Sequence, residues 1–236
     1  MLLAVTLLCA GRADAQWNGF LNINGAVQAD DRSVTHALAE SLYGERATYE
    51  GTMTSSGGGL LDAWLGVRVW RDLGIGLGAT VLNARGTTSV SGSVPSPLFT
   101  NRHRTASLEL PGLRQQQVGV HVPLVYVLPV SERVHLAVSA GPSWFRLRHD
   151  TVTAVRLTEA APYTAVEIAG ITTTVEEGNG IGYNAAVDVT YLLTRYFGVG
   201  VFVRYTGGSV EIAFPDGAQS VDVGGVQAGA GLRFRF

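Results

Sequence analysis

Val134-His135-Leu136-Ala137-Val138-Ser139-Ala140-Gly141-Pro142-Ser143-Trp144 is the most informative run in the chain. Val134, Leu136, Val138 and Ala140 form one face, and His135, Ala137, Ser139, Gly141 and Ser143 form the other. Strict alternation is the period of a β-strand, in which successive side chains point to opposite faces. The run ends on a tryptophan of the apolar face, ten residues beyond Val134. At about 3.3 Å per residue and a tilt of about 40°, that distance climbs roughly 25 Å, the height of a membrane's apolar layer.

The same pattern repeats outward in both directions. Val118, Val120, Val122, Leu124 and Tyr126 oppose Gln117, Gly119, His121 and Pro123. Tyr183, Ala185, Val187, Val189 and Tyr191 oppose Asn184, Ala186, Asp188 and Thr190. Val199, Val201, Val203 and Tyr205 oppose Gly200, Phe202 and Arg204. Val226, Ala228, Ala230, Leu232, Phe234 and Phe236 oppose Gln227, Gly229, Gly231, Arg233 and Arg235. A soluble sandwich also alternates, so the aromatic residues discriminate. Trp144, Tyr183 and Tyr205 close the apolar face beside long connections, whereas Trp17, Tyr126, Tyr191 and Phe236 close it beside short turns or termini. Two aromatic girdles around an aliphatic band are expected of a transmembrane barrel.

Eight strands are predicted, over residues 17–28, 61–70, 74–83, 115–128, 134–148, 182–193, 198–206 and 225–236. Their connections alternate strictly. Residues 71–73, 129–133 and 194–197 are turns, and residues 29–60, 84–114, 149–181 and 207–224 are long segments rich in Gly, Ser, Thr and acids. Structureless connections of that length do not suit a compact soluble domain, but short periplasmic turns and long extracellular loops are normal in an outer-membrane barrel. The stretch Thr87-Thr88-Ser89-Val90-Ser91-Gly92-Ser93-Val94 also alternates and is expected to extend its strand beyond the membrane as an edge ribbon, open to partner strands.

Composition agrees. Only 15% of the 236 residues are charged and 46% are hydrophobic, against about 25% charged in an ordinary soluble domain. No apolar run reaches the roughly 18 residues of a membrane helix. All 17 basic residues are arginine, and the net charge of −2 provides no basic footprint for nucleic acid. The apolar residues 1–10 followed by Ala13-Asp14-Ala15 read as a signal peptide, residues 1–15, cut before Gln16. Cys9 leaves with it, so a mature domain of residues 16–236 has no cysteine for disulfide or thiolate chemistry.

These features resemble the small outer-membrane β-barrel proteins of the OmpA, OmpX and OmpW type. The resemblance covers nearly the whole mature chain and rests on the alternating strands, the turn-and-loop asymmetry and the terminal Gly229-Ala230-Gly231-Leu232-Arg233-Phe234-Arg235-Phe236. It implies an all-β, closed, antiparallel, up-and-down transmembrane barrel of about eight strands in a bacterial outer membrane. It also implies a monomer in contact with outer-membrane lipid and lipopolysaccharide. In that family a last strand ending in an aromatic residue is the signal read by the barrel-assembly machinery, which Phe234 and Phe236 match. Members range from anchors and adhesins to conduits and lipid-modifying enzymes, so the resemblance leaves the role open.

The inward face supplies Asn18, Asn22, Asn24, Arg68, Gln117, His121, Asp188, Arg204, Arg233 and Arg235. A barrel of eight strands has just enough room for side chains, and buried polar groups need partners. A hydrogen-bonded plug is therefore expected, with a narrow, slightly cationic water path as the alternative. Asp188 and Arg204, inward on neighbouring strands, are the first candidates for an interior ion pair. For catalysis, His121 and His135 fall about 20 Å apart, His36, His103 and His149 lie in or beside the long connections, and Ser139 and Ser143 have no histidine near them on the apolar face. No nucleophile–base–orienter set emerges. The acids Asp30, Asp31, Glu40, Glu45, Glu50, Glu159, Glu167, Glu176 and Glu177 match no cation-binding loop. No catalytic residue, metal site or cofactor is predicted. The expected role is non-enzymatic surface contact, with a narrow channel or a lipid-modifying barrel enzyme as the other readings.

Overall fold

The computed structural model describes residues 18–214 and 217–236; the segment 1–15 expected to be a signal peptide, and Trp17, lie outside them. The strands are β1 (Gly19–Leu42), β2 (Glu45–Trp70), β3 (Leu73–Pro95), β4 (His103–His121), β5 (Leu124–Pro129), β6 (Val134–Glu159), β7 (Val166–Leu192), β8 (Phe197–Phe214) and β9 (Gly217–Arg235). All pairings are antiparallel. They run from β1 through β2, β3, the β4–β5 pair, β6, β7 and β8 to β9, which pairs back onto β1 from Phe20↔Arg235 to Ala29↔Val226. Nine strands therefore make eight staves of a closed ring.

The fourth stave, expected to be one strand, breaks at Val122-Pro123. Proline has no N–H to give to a ladder. The join is held instead by Gly76 N–H donating to the Pro123 carbonyl (2.9 Å) and Val122 N–H donating to the Pro142 carbonyl (3.0 Å). Gly141 lies against this join, where a Cβ would come within 2.4 Å of the Val122 oxygen and 2.5 Å of the Pro123 Cα. Only a residue without a side chain lets β6 approach so closely.

The long connections are not loops. β1 and β2 run on to a two-residue turn at Tyr43-Gly44, both with positive φ, as a tight hairpin turn requires. The expectation of structureless segments at 29–60, 84–114, 149–181 and 207–224 is corrected: most of the described residues of each are strand. The cause of the misreading is an inversion of polarity. Up to one level the outward residues are apolar, and above it they are polar. The change falls between Val81 and Asn83 on β3, Val118 and Gln116 on β4, Trp144 and Arg146 on β6, and Ile181 and Asn179 on β7.

The inward residues switch the other way. On β6, His135, Ser139 and Ser143 give way to Phe145 and Leu147, both fully buried. Below the crossover the exterior faces lipid and the interior can hold polar groups. Above it the exterior faces water, and the interior is the one place where apolar area can leave it. The upper strands thus form a tower around two apolar clusters. One contains Ala47, Tyr49, Val90, Val94, Ala106, Val152, Val166 and Ile168. The other contains Phe145, Leu147, Val210, Ile212, Val221 and Val223.

The edge-ribbon expectation for residues 87–94 is corrected as well. That part of β3 pairs on one side with β2 (Thr48↔Ser93 to Thr54↔Thr87) and on the other with β4 (Thr87↔Pro111 to Val94↔Arg104). Neither side is open to a partner strand, because both neighbours rise to the same height.

Candidate functional site: the barrel interior and the tower tip

The inward network is built by five consecutive staves of the ring, β7, β8, β9, β1 and β2. Asp62, on β2 at the parity of Arg68, accepts from Asn24 Nδ2 (2.6 Å), Trp64 Nε1 (2.6 Å) and Arg204 Nη1 (2.7 Å). The Asp62 and Arg204 side chains are 0% and 4% exposed. Arg204 lies over the Trp64 ring at 4.3 Å and the Phe202 ring at 4.8 Å. Asp188 accepts from Arg233 Nη2 (2.5 Å) and from Thr190 Oγ1 (2.9 Å). Asn24 joins the two ion pairs, since its Oδ1 accepts from Arg233 Nη1. Gln227 continues the chain upward, accepting from Arg204 (3.3 Å) and donating to Gln28 (3.0 Å).

The pairing expected between Asp188 and Arg204 is therefore corrected. Across β7–β8, Arg204 is register partner of Ala186 and Asp188 of Phe202, and each charge bonds beyond its neighbouring stave instead. The sequence reading passed over Asp62, although its separation of six from Arg68 already placed it inward. Among the other expected interior residues, Gln117 and His121 are buried, and Arg68 comes within 4.0 Å of Asp72 at the short-turn end. Asn22 and Arg235 line, with His135 and the ion-pair residues Asp188, Arg204 and Arg233, an interior cavity of about 70 Å³. This volume holds a few waters.

His121 makes the one contact that looks catalytic. Its Nδ1 lies 2.7 Å from Ser143 Oγ and its Nε2 3.1 Å from Thr80 Oγ1, while Asn184 Nδ2 donates to Ser143 Oγ (2.9 Å). The sequence reading looked for a serine–histidine pair on the outer face and missed this inner one, which the register His121↔Ser143 creates. Trp64 stacks on His121 at 5.6 Å and Phe145 meets it edge-on at 5.8 Å. Its imidazole is 0% exposed. The cluster is packed between the Trp64 and Phe145 rings inside the lumen.

At the top of the tower, separate hairpins are tied together. Glu159 accepts from Arg104 Nη2 (2.6 Å) and Tyr43 OH (2.9 Å). Arg104 also donates to the carbonyls of Pro95 (2.7 Å) and Tyr163 (3.1 Å). Glu45 accepts from the Asn101 N–H (2.8 Å). Tyr49 OH donates to Glu40 (2.8 Å), and its burial beside that carboxylate pushes its pKa upward. Around this polar clamp Tyr43, Leu98, Phe99 and Tyr163 are exposed.

On the barrel wall, Trp144, Tyr183 and Tyr205 are exposed at the level of the polarity crossover, and Tyr126, Tyr191 and Phe236 at the short-turn end. Trp70 and Tyr196, which the sequence reading left out, are exposed at the same end. Phe234 faces outward against Phe197, ring centres 5.4 Å apart.

No protein-family model and no curated protein matches the sequence. Among solved structures the chain is similar to Neisserial surface protein A, with 16% identity, a TM-score of 0.43, and 92% of this chain and 97% of that one covered. It is also similar to the outer membrane protease OmpT from Escherichia coli (10%, 0.45, 92% and 97%). A third is Ail, the attachment invasion locus protein of Yersinia pestis (11%, 0.40, 93% and 99%). At these identities the likeness concerns fold. By its own strand pairing and its own surface, the chain is a membrane-spanning antiparallel β-barrel of eight staves, with ion pairs linking staves inside it and a packed tower at one end.

Proposed function

We propose that this is a non-enzymatic bacterial outer-membrane barrel whose tower projects from the cell and makes surface contacts, with the barrel as its anchor. The observation that supports this reading best is the tower tip. Tyr43, Leu98, Phe99 and Tyr163 are exposed there, on hairpins clamped by the Arg104–Glu159 ion pair at 2.6 Å. Exposed aromatic area on a pre-ordered support is what adhesive contacts use, because little ordering entropy remains to be lost on binding. The ion pairs inside the lumen favour this role over a conduit, and the packed surroundings of His121 and Ser143 favour it over an enzyme.

Two measurements test it. Cells displaying the barrel are expected to autoaggregate or to adhere to epithelial monolayers. A Leu98→Ser/Phe99→Ser variant, folded and exported equally, should lose that behaviour. The refolded barrel in planar bilayers should give no unitary current. Unchanged adhesion in the variant, or discrete channel openings, would overturn the proposal.

A further inference from the structure

Outward from β3, β4 and β6, just above the polarity crossover, stand Arg85, Arg114, Arg146 and Arg148, all exposed. Arg146 and Arg148 share one carboxylate, Glu177, with Arg148 Nε at 2.6 Å, and the bond from Arg146 holds the Glu177 carboxyl below its ordinary range. Arg85 and Arg114 have no such partner. They face each other directly across the β3–β4 ladder, an arrangement of like charges that destabilises a sheet. Among the described residues neither makes an ion pair. Asp150 beside them accepts from the Arg114 backbone N–H (3.1 Å).

The same residues line a hollow. β4 and β6 pair from His121↔Ser143 up to Gln115↔His149 and then part. The gap opens into a groove of about 440 Å³, lined by Arg85, Arg114, Arg148, Asn83, Gln116 and the exposed Val175. Its lining thus includes three arginines, the amide residues Asn83, Gln115 and Gln116 and the apolar Val175, against one carboxylate, Asp150. Guanidinium forks match phosphate oxygens in geometry as well as charge.

The height of the groove indicates what would bring that phosphate. Arg85 is four residues above Val81, the last outward apolar residue of β3, which is about 10 Å along the barrel axis at a tilt of about 40°. The headgroup layer adds about 5–7 Å beyond each side of the hydrocarbon, so Arg85 stands at its outer edge, from which a long side chain reaches down into it. Directly below stand Trp144, Val118 and Val120, the surface an acyl chain would lie against.

We propose that this groove binds the phosphate groups of a phosphorylated glycolipid in the surrounding leaflet, with Arg85 and Arg114 as the principal ligands and Arg148 as the third. The site rests on the orientation given under the proposed function, which protease cleavage of the tower tip on intact cells checks separately.

The test uses the full barrel in nanodiscs, titrated with diphosphoryl lipid A, with its fully dephosphorylated form, with inorganic phosphate and with heparin, following Trp144 fluorescence and native mass spectrometry. Saturable binding of the diphosphoryl lipid is expected, weakened by salt and at least tenfold tighter than the dephosphorylated form. Arg85→Ala/Arg114→Ala should lose about tenfold or more in affinity while remaining folded by gel mobility. Arg156→Ala, higher on β6, should bind like the parent chain. Equal binding of both lipid forms, or an unaffected double variant, would overturn the proposal. Inorganic phosphate binding as tightly as the lipid would reassign the groove to a soluble anion, and preferential heparin binding to a sulfated glycan; either overturns the lipid assignment.

Discussion

Removing the Asp62 carboxylate tests the interior most sharply. Asp62→Ala deletes the acceptor of three short bonds and leaves Arg204 buried, with only Gln227 at 3.3 Å. Breaking a buried ion pair from one side costs about 3–5 kcal/mol, mostly because the surviving charge is uncompensated. The Trp64 and Phe202 rings, 4.3 and 4.8 Å from the guanidinium, attract it before and after the change, so they cancel in the difference and the loss stays in the full range of about 3–5 kcal/mol. Replacing both partners, as in Asp62→Leu/Arg204→Met, leaves no charge stranded and should cost less than the single change. Urea unfolding of the refolded barrel in lipid, followed by tryptophan fluorescence, measures both. A loss under about 1 kcal/mol for Asp62→Ala, in the range of a surface pair, would refute the reading that the lumen is dry at this level.

Three further outcomes are expected. Gly141→Val should prevent closure at the β4–β5 join, because even a Cβ lies 2.4 Å from the Val122 oxygen; Gly25→Ala, with nothing within 4 Å of its Cβ position, should fold normally, and gel mobility before and after boiling distinguishes them. Val201→Arg, on the lipid-facing wall at 57% exposure, should cost about 2–4 kcal/mol if that wall faces the bilayer midplane, whereas Ser89→Arg on the tower exterior should be tolerated. Burial, with the neighbouring His36, pushes His149 down to about 4 from 6.5; its neutral form is favoured by folding, so that stability is complete above pH 6.5 and is lost as pH falls toward 4. Hydrogen exchange in the tower should therefore accelerate across that window, on the order of 3 kcal/mol at its end, and His149→Phe should remove the dependence.

How much of this was legible in the sequence depended on which rule each segment obeys. In the membrane-spanning part, alternation of Val and Leu against Gly, Ser and Asn was enough to assign strands, faces and the placement of Arg233, Arg235, Asp188 and His121 inward, because lipid on one side and a confined lumen on the other make the two faces chemically unlike. The β4–β5 break was foreshadowed by Pro123, yet whether a proline ends a stave or is bridged depends on what its neighbours donate.

The tower was legible only at residues 87–94, whose alternation reads as strand continuing beyond the membrane. Its outward residues are Ser, Thr, Arg and Glu, its inward ones scattered Val, Leu and Phe, and that reversal looked like loop until the crossover level was known. Ion-pair partners were equally hidden. A strand's sequence states which way Asp62, Asp188, Arg204 and Arg233 point, but opposite staves of a closed ring meet only through its curvature and stagger, and these are properties of all eight staves together. Local alternation thus determined by itself that the chain would span a membrane as a barrel. Closure alone decided which charges meet and that the polar stretches rise as a packed tower.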